Sequence, residues 1–356
     1  MLQEKIVNRE ELMMKRTLCI GLAFAMVCAV SIMATGVSMA QQGKVIELTY
    51  ASPVGPDHTF SVVDKRWMEK IEKETNGRVK IKPFWGGTLV GSRDAVDEMA
   101  QGVADIGFVS PGYAKSGYNF TRSCFVFFYG ANQEVGRRVF KEMLAKFPEI
   151  EGEYKGLKVL SWSSGTDYQL ISRKPVRKLS DMKGMRIKTI ADLTSVLASL
   201  GVEGMNMPTP EIYINLQKGV ADGTLSPFES FKSLKLGEVA KYATTMNIYR
   251  PHSGGKVMNL NSWNRLPKDI QKVFEDNIEW WGMETDRAFI QADQEGKEIA
   301  KKLGVEFINF PKDEMEKFYA PMKELAAKRA KALDDKGLPG TKMYQEAQNL
   351  IKKYKK

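Results

Sequence analysis

A short sequence occurs twice in this chain at the same kind of position, and it constrains the fold more than any other feature. The copies are QGVAD at 101–105 and QKGVAD at 217–222. Each copy lies where a pattern of helical period ends at a glycine and a strand-like stretch begins. Two strand and helix series that end in the same joint predict two similar α/β lobes. Two such lobes form a cleft where the loops at their strand ends meet.

The two series can be followed along the chain from the spacing of apolar residues. The first is a strand over 45–51, a helix over about 60–75, a strand over 79–84, a helix over about 92–101 and a strand over 102–109. The second is strands over 157–162, 168–172 and 185–189, followed by helices over about 193–200 and 210–218. Beyond residue 250 the pattern predicts helices over about 263–302, 312–336 and 342–355, with a strand over 305–308. Alternating strands and helices favour mainly parallel sheets.

The N-terminal region has the three parts of a secretory signal. A basic segment at 14–16 precedes an apolar run over 18–33, and small residues follow, ending at Ala40. This arrangement predicts a signal peptide over residues 1–40, cleavage near Ala40 and a periplasmic location for the mature protein.

Two alternatives to a cleaved signal stay open. The apolar run is near the lower length limit for a membrane span, so it could remain as an anchor. Cys28 could carry a lipid, although the bulky Val27 precedes it. Residues 1–12 contain three acids, which is unusual ahead of a signal, so translation is expected to begin at Met13 or Met14.

Charge and motif content exclude several classes of function. The net charge is +10, but acids and bases are interspersed without a basic stripe of interleaved aromatic residues, which argues against nucleic-acid binding. No histidine or cysteine has metal-ligand spacing, and the motifs of metalloproteases, serine hydrolases and P-loop proteins are absent. We therefore expect no metal, no cofactor and no catalytic residue. A carboxylate pair of the glycosidase kind stays open because acids are abundant.

Six segments of the mature chain are similar, together and in this order, to one known family. They are 73–79 (KETNGRV), 87–91 (GTLVG), 101–107 (QGVADIG), 179–188 (LSDMKGMRIK), 210–223 (PEIYINLQKGVADG) and 261–272 (NSWNRLPKDIQK). They resemble the extracytoplasmic solute-binding proteins of TRAP transporters, the tripartite ATP-independent periplasmic systems (DctP-type family). Each segment alone is a modest match, but all six after a signal peptide are specific, and the resemblance covers nearly all of 43–310.

The resemblance implies a periplasmic-binding-protein-like α/β fold with mixed, mainly parallel sheets flanked by helices. A ligand cleft lies between two lobes, and a long helix spans both. Lobe I is expected to comprise 43–164 plus about 252–290, and lobe II 165–251 plus about 291–356. The implied function is a receptor, not an enzyme, that captures a small organic acid and delivers this carboxylate to TRAP membrane permease subunits. A binding protein of an ATP-driven importer, a periplasmic enzyme on this scaffold and a receptor for a sensor stay open.

The resemblance also indicates residues that would bind the ligand. In similar proteins an arginine on the strand after the Asp-Met-Lys-Gly turn holds the ligand carboxylate, and here that position is Lys188. Arg186 lies two residues earlier, on the same predicted strand face. Either Lys188 binds the acid as a point charge, or Arg186 takes the role, or the ligand is not a simple carboxylate. A second arginine of some relatives corresponds to Tyr168, and a ligand-binding asparagine corresponds to Ser226.

Further ligand contacts are expected from polar and aromatic residues near predicted strand ends. The polar ones are His58, in the first loop after the first strand, and Ser110, after the strand that follows the first repeated joint. The aromatic ones are Trp85, Trp162, Tyr213, Phe228 and Tyr249. For the aromatic residues the alternative is a place in the core, and for His58 it is a place on the surface.

Overall fold

Strands and helices alternate through most of the computed structural model, which describes residues 44–114, 117–163, 165–251 and 254–355. Residues Glu47–Lys356 form one unit. The predicted signal peptide and its cleavage site lie outside the described residues. Within the described part of the chain, no helix is long and apolar enough to cross a lipid bilayer.

In the described part of the chain, eleven strands form two sheets. In chain order they are β1 (Ile46–Ala51), β2 (Val79–Phe84), β3 (Ile106–Val109), β4 (Leu157–Ser163), β5 (Tyr168–Ser172), β6 (Arg186–Thr189), β7 (Glu203–Asn206), β8 (Gly223–Ser226), β9 (Tyr242–Ile248), β10 (Gly254–Asn259) and β11 (Glu306–Asn309). The first sheet has the spatial order β2-β1-β3-β10-β4, and the second has the order β11-β9-β5-β8-β6-β7.

Helices cover the faces of both sheets. They are α1 (Thr59–Glu74), α2 (Ala95–Gln101), α3 (Asn119–Phe127), α4 (Gln133–Lys146), α5 (Glu149–Gly152), α6 (Ala191–Ser199), α7 (Ile212–Gln217), α8 (Ser230–Ser233), α9 (Leu260–Arg265), α10 (Lys268–Asp276), α11 (Ile278–Lys302), α12 (Lys312–Asp334) and α13 (Gly340–Tyr354). Short 3-10 turns occur at Pro111–Tyr113, Leu179–Met182, Thr209–Glu211 and Leu236–Glu238.

Both sheets contain strands that differ in direction. Parallel pairing joins β1 to β3, β6 to both β7 and β8, and β9 to β11. By contrast, β5 and β10 run antiparallel to both of their neighbours. These two strands follow the first and second passages of the chain between the sheets, whereas β11, which follows the third passage, pairs in parallel. The predicted α/β fold with mixed sheets flanked by helices is confirmed.

The aspartate of the repeated Gly-Val-Ala-Asp sequence accepts the same kind of hydrogen bond in both sheets. In the first sheet the Asp105 carboxylate accepts hydrogen bonds from the backbone N–H and the hydroxyl of Thr49, at 2.8 and 2.9 Å. In the second, the Asp222 carboxylate accepts from the backbone N–H of Arg186 at 2.9 Å. Each aspartate thus fixes an N–H on the neighbouring parallel strand, β1 or β6. The similarity of the two series is therefore structural as well as sequential.

The helical segment after β10 is divided into three helices. The prediction of one continuous helix from Trp263 to about Lys302 is therefore wrong. The segment consists of α9, α10 and α11, because Pro267 cannot continue the backbone hydrogen bonds of α9 and instead precedes the first turn of α10. A second break lies at Asn277, between α10 and α11. The 25-residue α11 packs against α1 and β4 on the side of the first sheet and against α8 after β8. The predicted long helix that spans both sides is α11.

A large apolar cluster combines elements that are distant in sequence. It contains buried side chains of α3 and α4, of the second sheet, and of α12 and α13. The helices before β4 therefore share a core with the second sheet. The residue limits of the two lobes stay a prediction.

A fully buried ion pair joins α1, β10 and α11. Lys256 Nζ lies 2.7 Å from Asp64 Oδ1, and both side chains have no solvent exposure. Trp281 Nε1 donates to the same oxygen at 2.7 Å, and the Tyr50 hydroxyl donates to the other. The ring of Trp67 lies 3.9 Å from the ammonium. A buried charge needs such complete pairing, and this site shows how the protein provides it where a cation is structural.

Candidate functional site

A cleft lies between the two sheets and receives residues from both. Its walls include the residues that end or follow β3, β6 and β8, as expected at the carboxyl ends of parallel strands. Its empty volume is about 730 Å³, with open solvent at the mouth counted. The lining residues are Pro53, Val54, His58, Phe60, Ser92, Phe108, Ser110, Tyr113, Phe125, Tyr168, Lys188, Ile190, Thr209, Ile212, Ser226, Pro227, Glu229, Ser230, Leu234, Arg250 and Phe289.

Lys188 places an unpaired ammonium group in this cleft. It is the third residue of β6, between Met205 of β7 and Thr224 of β8, and only 2% of it is exposed. Its Nζ donates one long hydrogen bond to the Tyr113 hydroxyl, at 3.4 Å. No carboxylate of a described residue lies within ion-pairing distance of Nζ. Burial lowers the pKa of Lys188 to about 8, with Tyr168 opposing the shift and the charge of Arg250 adding to it.

Arg250 places a second cation in the same cleft. It follows β9, is 8% exposed, and stacks its guanidinium over the Tyr168 ring with Cζ 4.5 Å from the ring centroid. Its buried Nε has no hydrogen-bond partner among the residues described, and no ion pair forms with any of their carboxylates. Ionised groups are rarely buried without a partner. Lys188 and Arg250 therefore differ from Lys256, whose ammonium is paired with Asp64 within the fold.

Four more of the predicted residues line the cleft with Lys188. Tyr168 is buried beneath Arg250. Ser226 is buried and shares a 2.8 Å hydrogen bond with Thr224. Ser110 is half-buried after β3. His58 caps α1, since its Nδ1 accepts from the Phe60 N–H at 3.3 Å. Their roles in binding stay predictions.

Arg186 lies away from the cleft. Its guanidinium donates to both oxygens of Asp222 at 3.1 Å and to the Gly219 carbonyl at 2.7 Å. This hydrogen bonding raises the pKa of Arg186. The reason is its position at the amino end of β6, whereas the cleft lies at the carboxyl ends of the strands. Of the alternatives for the carboxylate contact, the geometry favours Lys188.

The five aromatic residues that were predicted as ligand contacts near strand ends do not line the cleft. Tyr213 donates from its hydroxyl to Glu238 at 2.8 Å. The others pack as follows: Trp85 on Tyr50, Trp162 on Tyr154 and Phe140, Phe228 on Phe307, and Tyr249 in a parallel stack on Phe128. For these residues the structure favours the alternative of a packing role.

The cleft also contains residues that the sequence did not single out. Arg250, Tyr113 and Glu229 supply polar groups. An aromatic wall is formed by Phe60, which lies 4.3 Å from Phe108 and 4.7 Å from Phe289 between ring centroids. Arg250 carried one detectable signal, namely its place directly after Tyr249, which the sequence had indicated as a ligand contact.

No group of three or more histidine, cysteine, aspartate or glutamate side chains could hold a metal ion in the part of the chain that is described. The charged groups that line the cleft are Lys188, Arg250 and Glu229. Two positive charges and one negative charge give the cleft lining a net charge of +1. Such an arrangement can hold a small anion.

Two sheets that enclose a cleft in this way define the class of two-lobed solute-binding proteins. The sequence profile of the family described as bacterial extracellular solute-binding protein, family 7 (DctP), matches residues 51–332. The chain therefore belongs to this family, and the predicted family is confirmed.

Individual proteins are similar to this chain in sequence or in fold. A monocarboxylate 2-oxoacid-binding periplasmic protein of Nostoc is 28% identical over 212 residues, which span 58% of this chain and 58% of the relative's length. A TRAP periplasmic solute-binding protein of Desulfovibrio salexigens is 28% identical, with a TM-score of 0.70 over 87% of this chain and 96% of its own. A TRAP solute-binding protein of Rhodoferax ferrireducens, solved with copurified benzoate, is 24% identical, with a TM-score of 0.78 over 87% of this chain and 99% of its own.

Proposed function

We propose that this protein is the receptor of a TRAP transporter for a small monocarboxylate. One observation carries the proposal: Lys188 and Arg250 are buried in one cleft, and neither is paired with a carboxylate of the described residues. Desolvating a cation costs free energy that a bound anion offsets through charge-assisted hydrogen bonds. The planar guanidinium of Arg250 and the ammonium of Lys188 can together bind the two oxygens of one carboxylate.

The net charge of the cleft lining supports a ligand with a single negative charge. A monocarboxylate balances the +1 of Lys188, Arg250 and Glu229, whereas a dicarboxylate would leave one charge in excess. The name of the Nostoc relative, which is a monocarboxylate-binding protein, agrees with this choice.

The location and partner follow from the same proposal. The receptor is exported, loses its signal peptide near Ala40, and meets its ligand in the periplasm. Closure of the two lobes then encloses the ligand, and the membrane permease subunits of the transporter receive it unchanged. The protein is a receptor in this account and catalyses no reaction.

Replacement of the two cleft cations tests the proposal. We expect a panel of monocarboxylates, measured by calorimetry and thermal shift, to contain acids that bind wild-type protein. Lys188→Met and Arg250→Met should each weaken this binding by about 10- to 100-fold, the value of a charge-assisted hydrogen bond. Lys188→Met should also raise the stability of the ligand-free protein, because it removes a buried unpaired charge.

Arg186→Met is the matched control, since it removes a cation of the same strand that lies outside the cleft. Its affinity for the same acids should stay within about threefold of wild type, a difference well below one hydrogen bond. Unchanged affinity in both cleft variants, or loss of binding in Arg186→Met alone, would contradict the proposal.

A further inference from the structure

A buried carboxylate lines the cleft together with the two cations. Glu229 lines the cleft and is 1% exposed. The Thr59 hydroxyl donates to its Oε1 at 2.8 Å, and the Ser230 hydroxyl donates to its Oε2 over a long 3.4 Å. Two carboxylate oxygens can accept about four hydrogen bonds. Glu229 therefore retains acceptor capacity inside the cleft.

The described residues provide no cation to pair with Glu229. The nearest titratable donor is His58, whose Nε2 lies 3.9 Å from Oε1, beyond hydrogen-bond distance. Burial lowers the pKa of His58, with the charge of Glu229 opposing this shift, so the imidazole is neutral at pH 7. No lysine or arginine among residues 44–355 that are described forms an ion pair with Glu229. A donor on the ligand would complete the hydrogen bonding of this carboxylate.

Aromatic rings pack around His58, the neighbour of Glu229 in the cleft. The His58 ring is stacked on Phe60 with centroids 5.5 Å apart, and it lies 6.2 Å from Phe289. Phe60 and Phe289 belong to the aromatic wall of the cleft. Such a surface favours an apolar ligand body next to a single polar substituent.

We propose that Glu229 accepts a hydrogen bond from a hydroxyl group of the ligand, so that the receptor selects hydroxylated monocarboxylates with an apolar body. This inference rests on the proposed function, in which Lys188 and Arg250 hold the carboxylate. A ligand could donate this hydrogen bond from a hydroxyl or from an ammonium group, and the charge of the ligand distinguishes the two. A hydroxy acid carries −1 and balances the net charge of +1 from Lys188, Arg250 and Glu229, whereas an amino acid is a zwitterion and leaves that charge uncompensated.

Calorimetry with four acids of one carbon skeleton tests the inference. The probes are phenylacetate, mandelate, 3-hydroxyphenylacetate and phenylglycine. We expect wild-type protein to bind one of the two hydroxylated acids about tenfold or more tightly than phenylacetate, because a hydrogen bond to a charged acceptor is gained. Phenylglycine should bind more weakly than the preferred hydroxy acid.

Glu229→Met and the milder Glu229→Gln identify the acceptor. In Glu229→Met the preference for the hydroxy acid should fall to less than about threefold, while phenylacetate keeps its affinity, since its carboxylate contacts are untouched. Glu229→Gln, which keeps the size of the side chain, should give an intermediate preference and covers the case in which Glu229→Met fails to fold. Lys188→Met is the converse control. It should weaken the binding of all four acids, while the preference for the hydroxylated acids persists.

The outcomes separate this inference from the proposed function. Equal binding of phenylacetate and both hydroxy acids by wild-type protein would overturn the role of Glu229 and leave the monocarboxylate receptor standing. A hydroxyl preference that survives in both Glu229 variants would overturn it as well, and tighter binding of phenylglycine would overturn the choice of a hydroxyl. Failure of every monocarboxylate to bind would overturn the proposed function itself.

Discussion

At the scale of single residues, the buried cations of the core and of the cleft differ in how they are paired. Lys256 is paired with Asp64 and enclosed by aromatic rings, so its charge is satisfied within the fold. Lys188 is buried to a similar degree but has one long hydrogen bond to a neutral hydroxyl. The difference is what points to an anionic ligand. The sequence located Lys188 through its place after the Asp-Met-Lys-Gly turn, but it could not locate Arg250, because an arginine after a strand has no periodic signal of its own.

The pH dependence of ligand binding should follow the protonation of Lys188. Its pKa in the ligand-free protein is lowered to about 8, mainly by burial, so the ammonium form falls as pH rises through this value. A carboxylate binds the protonated form, and binding must therefore take up a proton above pH 8. We expect the Kd of a bound monocarboxylate to be constant between pH 6 and 7 and to rise by up to about tenfold per pH unit above pH 8.

Titration calorimetry across this range checks the expectation, with Lys188→Met as the control that should show no such rise. The Tyr113 hydroxyl beside Lys188 does not interfere, because burial raises the pKa of Tyr113. A wild-type Kd that stays constant up to pH 10 would show that Lys188 does not hold the ligand.

Among the elements, α11 connects the two sheets through close backbone approaches. Gly282 faces the Trp162 carbonyl of β4, and Gly296 faces the Phe228 carbonyl after β8. Fourteen residues separate these glycines, or about 21 Å along a helix. The helical period of this segment was visible in the sequence, but the reason for its glycines was not, because it depends on chain segments that are remote in sequence.

Gly296→Ala should therefore destabilise the protein. A Cβ at this position would lie 2.1 Å from the Phe228 carbonyl oxygen and 3.2 Å from Cα of Glu229, so backbone must move. We expect a loss of about 1–3 kcal/mol in the free energy of unfolding, measured by urea denaturation. The affinity for the hydroxy acid should fall as well, because Glu229 is displaced.

Gly152→Ala provides the matched control for this change. Gly152 is also helical, and a Cβ there would meet nothing within 4 Å. The substitution should leave stability unchanged or raise it by up to about 1 kcal/mol. Equal stability of the two variants would contradict the close contact between α11 and the chain after β8.

For the molecule as a whole, several contacts cross the cleft. The Tyr113 hydroxyl lies 3.0 Å from Thr209 Oγ1, Thr59 donates to Glu229, and Arg93 lies 3.6 Å from Glu211. The first residue of each pair precedes β4, and the second follows β5. These contacts are the ones that opening of the cleft would break, and they support the expectation that ligand binding and lobe closure are coupled.

The fold was more predictable from sequence than the site, for a physical reason. Strand and helix periods are local, so the order of elements and the two similar series could be recognised. The antiparallel direction of β5 and β10 depends on which strands they pair with, which is a non-local property. The cleft is non-local too: Lys188, Arg250 and Glu229 come together only through the pairing of β5, β6, β8 and β9. Arg186 shows the same limit, since its strand face was foreseen but its pairing with Asp222 was not.

A crystal structure of protein purified without denaturation would show whether Lys188 and Arg250 hold a carboxylate, because ligand taken up in the cell would remain in the cleft. We expect density for one carboxylate within about 3 Å of both Lys188 Nζ and the Arg250 guanidinium. We further expect a hydroxyl of the same ligand at hydrogen-bond distance from Glu229. A ligand whose carboxylate contacts Arg186 instead, or one without a negative charge beside Lys188 and Arg250, would show that the two cleft cations do not form a carboxylate site.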